Sequence, residues 1–158
     1  MPKTVASCLR TAARLELQTQ ALYLDLAGRF THDLPLHALF QRLADEEGQH
    51  ALRIQLLARH QGGTPWPAAL RERILGELAA ATAGIGQLQA ELLALPDPLD
   101  PTAVLLRLVE MEDRFGATHA ESMAQGLAPA IRELFASLAG QDGKHRELIQ
   151  LALTSAVA

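Results

Sequence analysis

The sequence predicts an all-α protein, a four-helix bundle of two helical hairpins joined by a long crossover with an additional helix. Of its 158 residues, 49% are hydrophobic but only 4% aromatic, a composition typical of helical bundles with Ala and Leu in the core. Apolar residues recur every three or four positions through most of the chain, as on one face of a helix. A pattern from the first half returns in the second, which predicts two hairpins related by a pseudo-twofold axis.

The first hairpin is predicted to span residues 4–60. Its first helix covers about residues 4–30, and its second ends near His60, where Gly62 begins a glycine pair that stops a helix. Between the two helices lies Asp33, whose side chain suits the N-cap of the second helix.

The crossover is predicted at residues 61–100 and the second hairpin at residues 101–155. An apolar periodic segment over about residues 67–95 predicts the additional helix. Its apolar face must be covered by the bundle or by a second subunit, which favours at least a homodimer. Asp100 is a suitable N-cap for the following helix, with Pro101 at its first position.

Length, charge and cysteine content narrow the class of protein. A chain of 158 residues suits a single domain over residues 1–158. The net charge of −4 gives no electrostatic attraction to nucleic acid or to an anionic membrane. Cys8 is the only cysteine, which excludes an intrachain disulfide and a cysteine-ligated zinc or iron site. Neither a signal peptide nor a membrane span is evident, so a cytoplasmic location is expected.

Two segments pair a carboxylate with a histidine three residues later. The first is LFQRLADEEGQH, which ends with Glu47 and His50 in that spacing, and the second is LFASLAGQDGKH, which has Asp142 and His145 at the matching positions 95 residues later. Residues i and i+3 share a helix face, so each pair can direct its side chains to one point. Helices of this kind hold two metal ions inside a bundle.

Each pair has a glutamate about thirty residues before it, on the partner helix of its hairpin. Glu16 lies 31 residues before Glu47, and Glu112 lies 30 residues before Asp142. Glu110, which lies 32 residues before Asp142, is the alternative to Glu112. We favour Glu112 because it shares an apolar stripe with its neighbours one and two turns away.

The repeat therefore predicts a site for two metal ions. Burying several unpaired carboxylates would cost several kcal/mol each, and two divalent cations would offset that charge. Carboxylate-rich ligation with one imidazole per metal suits iron, with manganese or a mixed pair as the alternative. Glu47 and Asp142 are expected to bridge the metals. The six predicted ligands are Glu16, Glu47, His50, Glu112, Asp142 and His145.

The motifs E-x6-Y, LF-x2-LA-x2-E-x2-H and a second glutamate followed by LF-x2-LA-x2-D-x2-H resemble the ferritin-like superfamily, most closely its rubrerythrin-like branch. The resemblance covers nearly the whole chain. It implies a di-iron carboxylate centre that reacts with dioxygen or hydrogen peroxide in iron oxidation, iron handling or peroxide reduction. The rubredoxin-like module of full rubrerythrins is absent, so an electron donor would be another protein.

Three features depart from that pattern or qualify it. Asp142 stands where the family has Glu and is shorter by one methylene, so a bridge there would be longer or lost. His119 replaces the more usual tyrosine and is expected to form hydrogen bonds behind the metal ligands. Tyr23 is the candidate for a redox role, against the simpler interpretation of a core residue with a satisfied hydroxyl. Asp45 and Glu46 are interpreted as solvated.

Two other functions fit the same sequence. One is a di-iron oxygenase that acts on an organic substrate, which requires a substrate-sized pocket beside the metals. The other is a metal-free helical interaction protein whose site has decayed, which would fold equally well in a chelator.

Overall fold

The computed structural model describes residues 4–61, 67–123 and 128–157, without the side chains of 121–123. These residues form helices and no β-strand, which confirms the all-α prediction. The helices are α1 Val5–Arg29, α2 Leu34–Gln61, α3 Ala68–Ala94, α4 Pro101–Met123 and α5 Pro129–Ala156. The glycine pair predicted to stop α2 and the Thr-Pro-Trp segment after it lie outside the described residues.

The helices pack in the order expected of two hairpins and a crossover. α1 packs most extensively against α2, and α4 packs most extensively against α5. The two hairpins meet through α2 and α5, whereas α3 contacts both α1 and α4. The crossover helix therefore packs against one helix of each hairpin, α1 and α4. No helix in the described ranges is long and apolar enough to cross a membrane.

The apolar stripes predicted from the sequence form one continuous core. Phe40, Leu43 and Ile54 of α2 are fully buried, as are Leu105 of α4 and Leu138 of α5. Polar and charged side chains are also present in this interior, and all but one of those that the structure describes lie in a single cluster. They are Glu16, Thr19, Glu47, His50, Glu112, His119, Asp142 and His145, with Thr19 the exception. Thr19 instead satisfies its hydroxyl by donating to the carbonyl of Leu15 in the preceding turn.

Side-chain caps begin α2 and α4 at the predicted residues. The Asp33 carboxylate accepts a hydrogen bond of 3.1 Å from the backbone N–H of Leu36. The Asp100 carboxylate accepts from the N–H groups of Thr102 and Ala103, at 3.2 and 3.3 Å. These caps satisfy N–H groups that have no partner within the helix, and they fix where each of these two helices starts.

Arg29 at the end of α1 joins that helix to the end of the crossover. Its guanidinium donates to the backbone carbonyls of Leu92 and Leu95 at 2.5 and 2.9 Å, and its Nε donates to the Asp97 carboxylate at 3.0 Å. Only 14% of its side chain is exposed. One residue therefore holds the carbonyl end of α3, and the turn that leads into α4, against the first hairpin.

We expect Arg29→Ala to lower the free energy of unfolding by about 1–3 kcal/mol, because hydrogen bonds from a charged donor are lost and carbonyl groups lose their partner. Arg10→Ala is the matched control, since Arg10 is an exposed arginine of the same helix and surface changes of this kind stay within about 0.5 kcal/mol. Urea denaturation of both variants measures the difference. Equal stability of the two variants would contradict the role given to Arg29.

Candidate metal centre

The four helices α1, α2, α4 and α5 place ionisable side chains in one buried volume. Each of these side chains is at most 3% exposed. Their positions follow from helical periodicity, because each occupies the interior stripe of its helix. The contributors are Glu16 from α1, Glu47 and His50 from α2, Glu112 and His119 from α4, and Asp142 and His145 from α5.

One group with metal-ligand spacing joins α1 and α2. It consists of Glu16, Glu47 and His50, which each offer one ligand atom within 4.8 Å of the others. The His50 Nδ1 atom lies 3.3 Å from Glu47 Oε2 and 3.6 Å from Glu16 Oε2. Two carboxylates and an imidazole thus converge inside the first hairpin.

A second group of the same composition joins the two hairpins. It consists of Glu47, Glu112 and His145, again with one ligand atom each within 4.8 Å. The His145 Nδ1 atom lies 3.0 Å from Glu47 Oε1 and 3.7 Å from Glu112 Oε1. Glu47 therefore belongs to both groups, with Oε2 directed to His50 and Oε1 directed to His145. The two imidazole rings are nearly parallel, 14° apart, with centroids at 5.5 Å.

Asp142 takes a different partner from the one that the sequence predicted. Its Oδ2 atom accepts a hydrogen bond of 2.6 Å from His119 Nδ1, and it belongs to neither group of candidate ligands. The His119 Nε2 atom lies 3.2 Å from Glu16 Oε1. His119 therefore contacts two of the predicted ligands. The structure brings five of the six predicted ligands together and places the sixth, the shortest carboxylate, beside His119.

The structure also distinguishes the two candidate glutamates of α4. Glu112 is 1% exposed and lies in the cluster, whereas Glu110 is exposed and lines a groove between α3 and α4.

Tyr23 is fully buried and donates a hydrogen bond to Glu112 Oε1. Its ring stacks on Phe40 with centroids 6.3 Å apart. Tyr23 thus links α1 to a candidate ligand of the second hairpin.

Two residues outside the predicted set hold the outer nitrogens of the imidazole rings. Glu46, which was interpreted as solvated, accepts a hydrogen bond of 2.8 Å from His145 Nε2, and 26% of its side chain is exposed. Gln141 Oε1 accepts from His50 Nε2 at 3.2 Å. The sequence contains a signal for both residues, because each directly precedes the carboxylate of its repeat. The solvated interpretation failed because Glu46 reaches across to the other hairpin, a contact that its own helix does not reveal.

The charges of the cluster compensate one another in the metal-free protein. Burial alone would lower the pKa of His50, but the carboxylates of Glu16 and Glu47 raise it to about 10. Burial would likewise lower the pKa of His145, but the carboxylates of Glu112 and Glu47 raise it to about 11. Burial would lower the pKa of His119 too, and Asp142 with Glu16 raises it to about 10. Protonated imidazoles therefore supply the positive charge that the carboxylates need.

The pKa values of the three buried glutamates shift in different directions. Burial raises the pKa of Glu47 to about 7, although hydrogen bonds with His145 and His50 oppose the shift. Burial also raises the pKa of Glu112, against the effect of His145. For Glu16 the hydrogen bonds from His119 and His50 outweigh burial, and its pKa is lowered. The shared carboxylate is thus among those that are costly to keep ionised without a nearby cation.

The residues present fit a pair of divalent cations. Glu47 Oε1, Glu112 Oε2 and His145 Nδ1 are buried and have no partner in hydrogen-bond geometry within the described residues, although Glu47 Oε1 and His145 Nδ1 lie 3.0 Å apart as an ion pair. Buried polar atoms in proteins are normally paired, and these three belong to one candidate ligand group. A cation would satisfy all three and would take the place of the protons on the imidazoles. Carboxylate oxygens with a single imidazole at each position suit iron or manganese.

Comparison of the chain with protein-family models, with curated proteins and with solved structures gives no match. The functional argument therefore depends on the geometry and chemistry of the cluster.

The metal-free chain is expected to lose stability as the pH rises from about 7 to 10. Its imidazoles keep protons up to about pH 10 or 11, whereas those of the unfolded chain lose them near pH 6.5. The stabilisation that these protons provide is therefore complete below pH 6.5 and is lost as the pH rises to the pKa values of the folded protein. The free energy of unfolding falls by about 1.4 kcal/mol per pH unit for each proton that the folded chain retains.

Urea denaturation in the presence of a chelator, at several pH values, measures this slope. His50→Gln should make the slope shallower, because one retained proton is removed. His60→Gln should not change it, since His60 is exposed near the end of α2. A metal-free protein whose stability stays constant or rises over this interval would show that the imidazoles are not protonated in the folded state.

Proposed function

We propose that this protein is a ferritin-like, rubrerythrin-like di-iron protein that uses iron(II) to reduce hydrogen peroxide or dioxygen. One position is formed by Glu16, Glu47 and His50, and the other by Glu47, Glu112 and His145. The observation that carries the proposal is the shared carboxylate of Glu47, with one oxygen in each group. A single bridging carboxylate is what a paired site requires and what two unrelated acidic clusters would lack.

The proposed chemistry needs two electrons from the metals. When bound, two iron(II) ions would supply the two electrons that, with two protons, convert hydrogen peroxide into two molecules of water. With dioxygen the same electrons and protons would give hydrogen peroxide. Manganese is the alternative metal, because the same oxygen and nitrogen donors bind it.

The chain's own residues would fix the ligands and keep the surroundings dry. Tyr23 donates its hydroxyl hydrogen to Glu112 and so orients that carboxylate. Burial raises the pKa of Tyr23 well above its ordinary value, and the nearby carboxylates raise it further, so the hydroxyl keeps its proton. Phe40, Leu138 and Ile149 are fully buried in the same core. Apolar walls of this kind exclude water and strengthen the electrostatic attraction between ligands and metals.

The oxygenase alternative requires a substrate pocket beside the metals. The structure has a groove of about 570 Å³ between α3 and α4, but none of the proposed ligands lines it. Its charged residues include Glu110, Arg107 and Arg114, all exposed. Because it does not adjoin the proposed metal ligands, this groove does not support the oxygenase alternative. The decayed-site alternative is opposed by Glu112 Oε2, a buried carboxylate oxygen of the second group that has no hydrogen-bond partner within the described residues.

Loading with iron(II) in the absence of oxygen, followed by desalting and elemental analysis, tests the proposal. We expect about two irons per chain in the wild type. Glu47→Gln keeps the side-chain volume but removes the charge that both positions share, and it should leave fewer than one. Glu110→Gln is the matched control, because it removes an exposed carboxylate of α4 that lies outside both groups, and it should retain two.

Admitting peroxide or air to the loaded protein then tests the reaction. The concentration of iron(II) is followed over time with a ferrous chelator. It should fall faster in the wild type and in Glu110→Gln than in Glu47→Gln. A folded wild-type protein that binds no iron would contradict the proposal. Two irons retained in Glu47→Gln would contradict the shared carboxylate, and bound iron(II) that neither oxidant consumes would contradict the redox function.

A further inference from the structure

Glu46 and Gln141 occupy equivalent positions in the two halves of the chain. Glu46 directly precedes Glu47 on α2, and Gln141 directly precedes Asp142 on α5. Each reaches across to the imidazole of the other hairpin. The His145 Nε2–H group donates to Glu46 Oε2 at 2.8 Å, and the His50 Nε2–H group donates to Gln141 Oε1 at 3.2 Å.

These two hydrogen bonds determine which ring nitrogen is left for a metal. In both histidines Nε2 is the outer nitrogen, whereas Nδ1 lies within 3.7 Å of cluster carboxylates. An acceptor at Nε2 fixes the proton there and leaves the Nδ1 lone pair for a cation. Glu46 and Gln141 are thus positioning residues, which act on a metal through the imidazole.

The two acceptors differ in charge although their positions match. Glu46 is a carboxylate, and its second oxygen accepts a hydrogen bond of 2.8 Å from Arg42 Nε, which holds it in place. Gln141 offers only a neutral amide oxygen. A carboxylate that accepts from a ligating imidazole makes that imidazole a stronger donor to the metal than an amide does. The two imidazoles therefore differ in donor strength.

The remaining ligands are of the same residue types at the two positions. Both positions share Glu47, and each adds one further glutamate. Glu112 accepts a hydrogen bond from Tyr23, and Glu16 lies 3.2 Å from His119 Nε2. The group beside Glu112 is a neutral hydroxyl, whereas the group beside Glu16 is an imidazole that draws more strongly on the carboxylate charge, which also makes Glu16 the weaker donor. The clearest difference between the two positions is the group behind the imidazole.

We propose that the two metal positions are unequal, and that the position with His145 and Glu112 fills first because Glu46 supports its imidazole. The position with His50 and Glu16, supported by Gln141, is the weaker one. This inference deepens the proposed function and rests on it. Changes to residues behind ligating imidazoles alter metal affinity by about 10–100-fold, and a difference of that size separates the two positions.

Titration with manganese(II) alone, with free manganese counted by electron paramagnetic resonance, measures the two affinities without any redox reaction. Wild-type protein should bind one ion tightly and a second about 10–100-fold more weakly. Glu46→Gln should weaken the tight site until the two affinities are similar. Gln141→Glu should instead strengthen the weak site. The ratio of the two affinities is the readout, because a general loss of stability would not change it selectively.

Asp45→Asn is the matched control, since it removes an exposed negative charge one residue from Glu46. It should leave the ratio unchanged. The exchanged variant Glu46→Gln with Gln141→Glu keeps the overall charge and should restore two unequal sites in reversed order. His145→Gln should remove the tight site in the wild-type background and the weak site in the exchanged one.

Equal affinities in the wild type, or a ratio that Glu46→Gln and Asp45→Asn change equally, would overturn the inference and leave the proposed function intact. Loss of the tight site in His50→Gln rather than in His145→Gln would also overturn it. A folded wild-type chain that binds neither manganese nor iron would contradict the proposed function itself.

Discussion

The interior of this protein depends on the balance between buried carboxylates and buried imidazoles. Glu16, Glu47, Glu112 and Asp142 are each at most 3% exposed and lie on four different helices. An isolated buried carboxylate costs several kcal/mol, so the four helices close over this cluster at lower cost when positive charge accompanies it or when a carboxylate takes up a proton. Protons on the histidines supply that charge in the metal-free chain, and divalent cations would supply it in the loaded chain. The same residues thus link folding to pH and, under the proposed function, to metal binding.

The arrangement of the cluster follows from the repeat, and its asymmetry follows from the differences between the two copies. In the first copy a glutamate joins both groups, whereas in the second the shorter Asp142 bonds to His119. The acceptor behind one imidazole is a carboxylate and the acceptor behind the other is an amide. Two hairpins that carry a repeated motif therefore hold a cluster with one shared carboxylate, Glu47, and with two chemically distinct ends.

Much of this organisation was predictable because it follows from helical periodicity. The all-α fold, the caps at Asp33 and Asp100, and the inward direction of Glu47 and His50 need only the helix period and local hydrogen bonding. Choosing between Glu110 and Glu112 was harder. Side chains two positions apart on a helix point to nearly opposite sides. Glu110 and Glu112 nevertheless both have apolar neighbours at helical spacing. Burial in the assembled bundle decides in favour of Glu112.

The contacts that sequence reasoning missed all run between helices. The pairing of Asp142 with His119 depends on the spacing of α4 and α5 and on a single methylene. Glu46 resembles a solvated residue on its own helix and gains its partner only when the second hairpin packs on the first. Periodicity determines which face a residue occupies, but it does not determine which atom that residue meets on another helix. The atoms that meet in these contacts were therefore accessible only from the packed structure.

The central claim is that Glu47 joins two metal positions. Anomalous X-ray diffraction from crystals loaded with manganese or iron tests it most directly, because each bound ion gives a separate peak beside identified ligands. The account predicts two peaks per chain, about 3.5–4 Å apart as in other paired-metal sites, with a Glu47 oxygen on each. One peak would correspond to a single-metal site. Two peaks with Glu47 bound to only one of them, or to neither, would contradict the account.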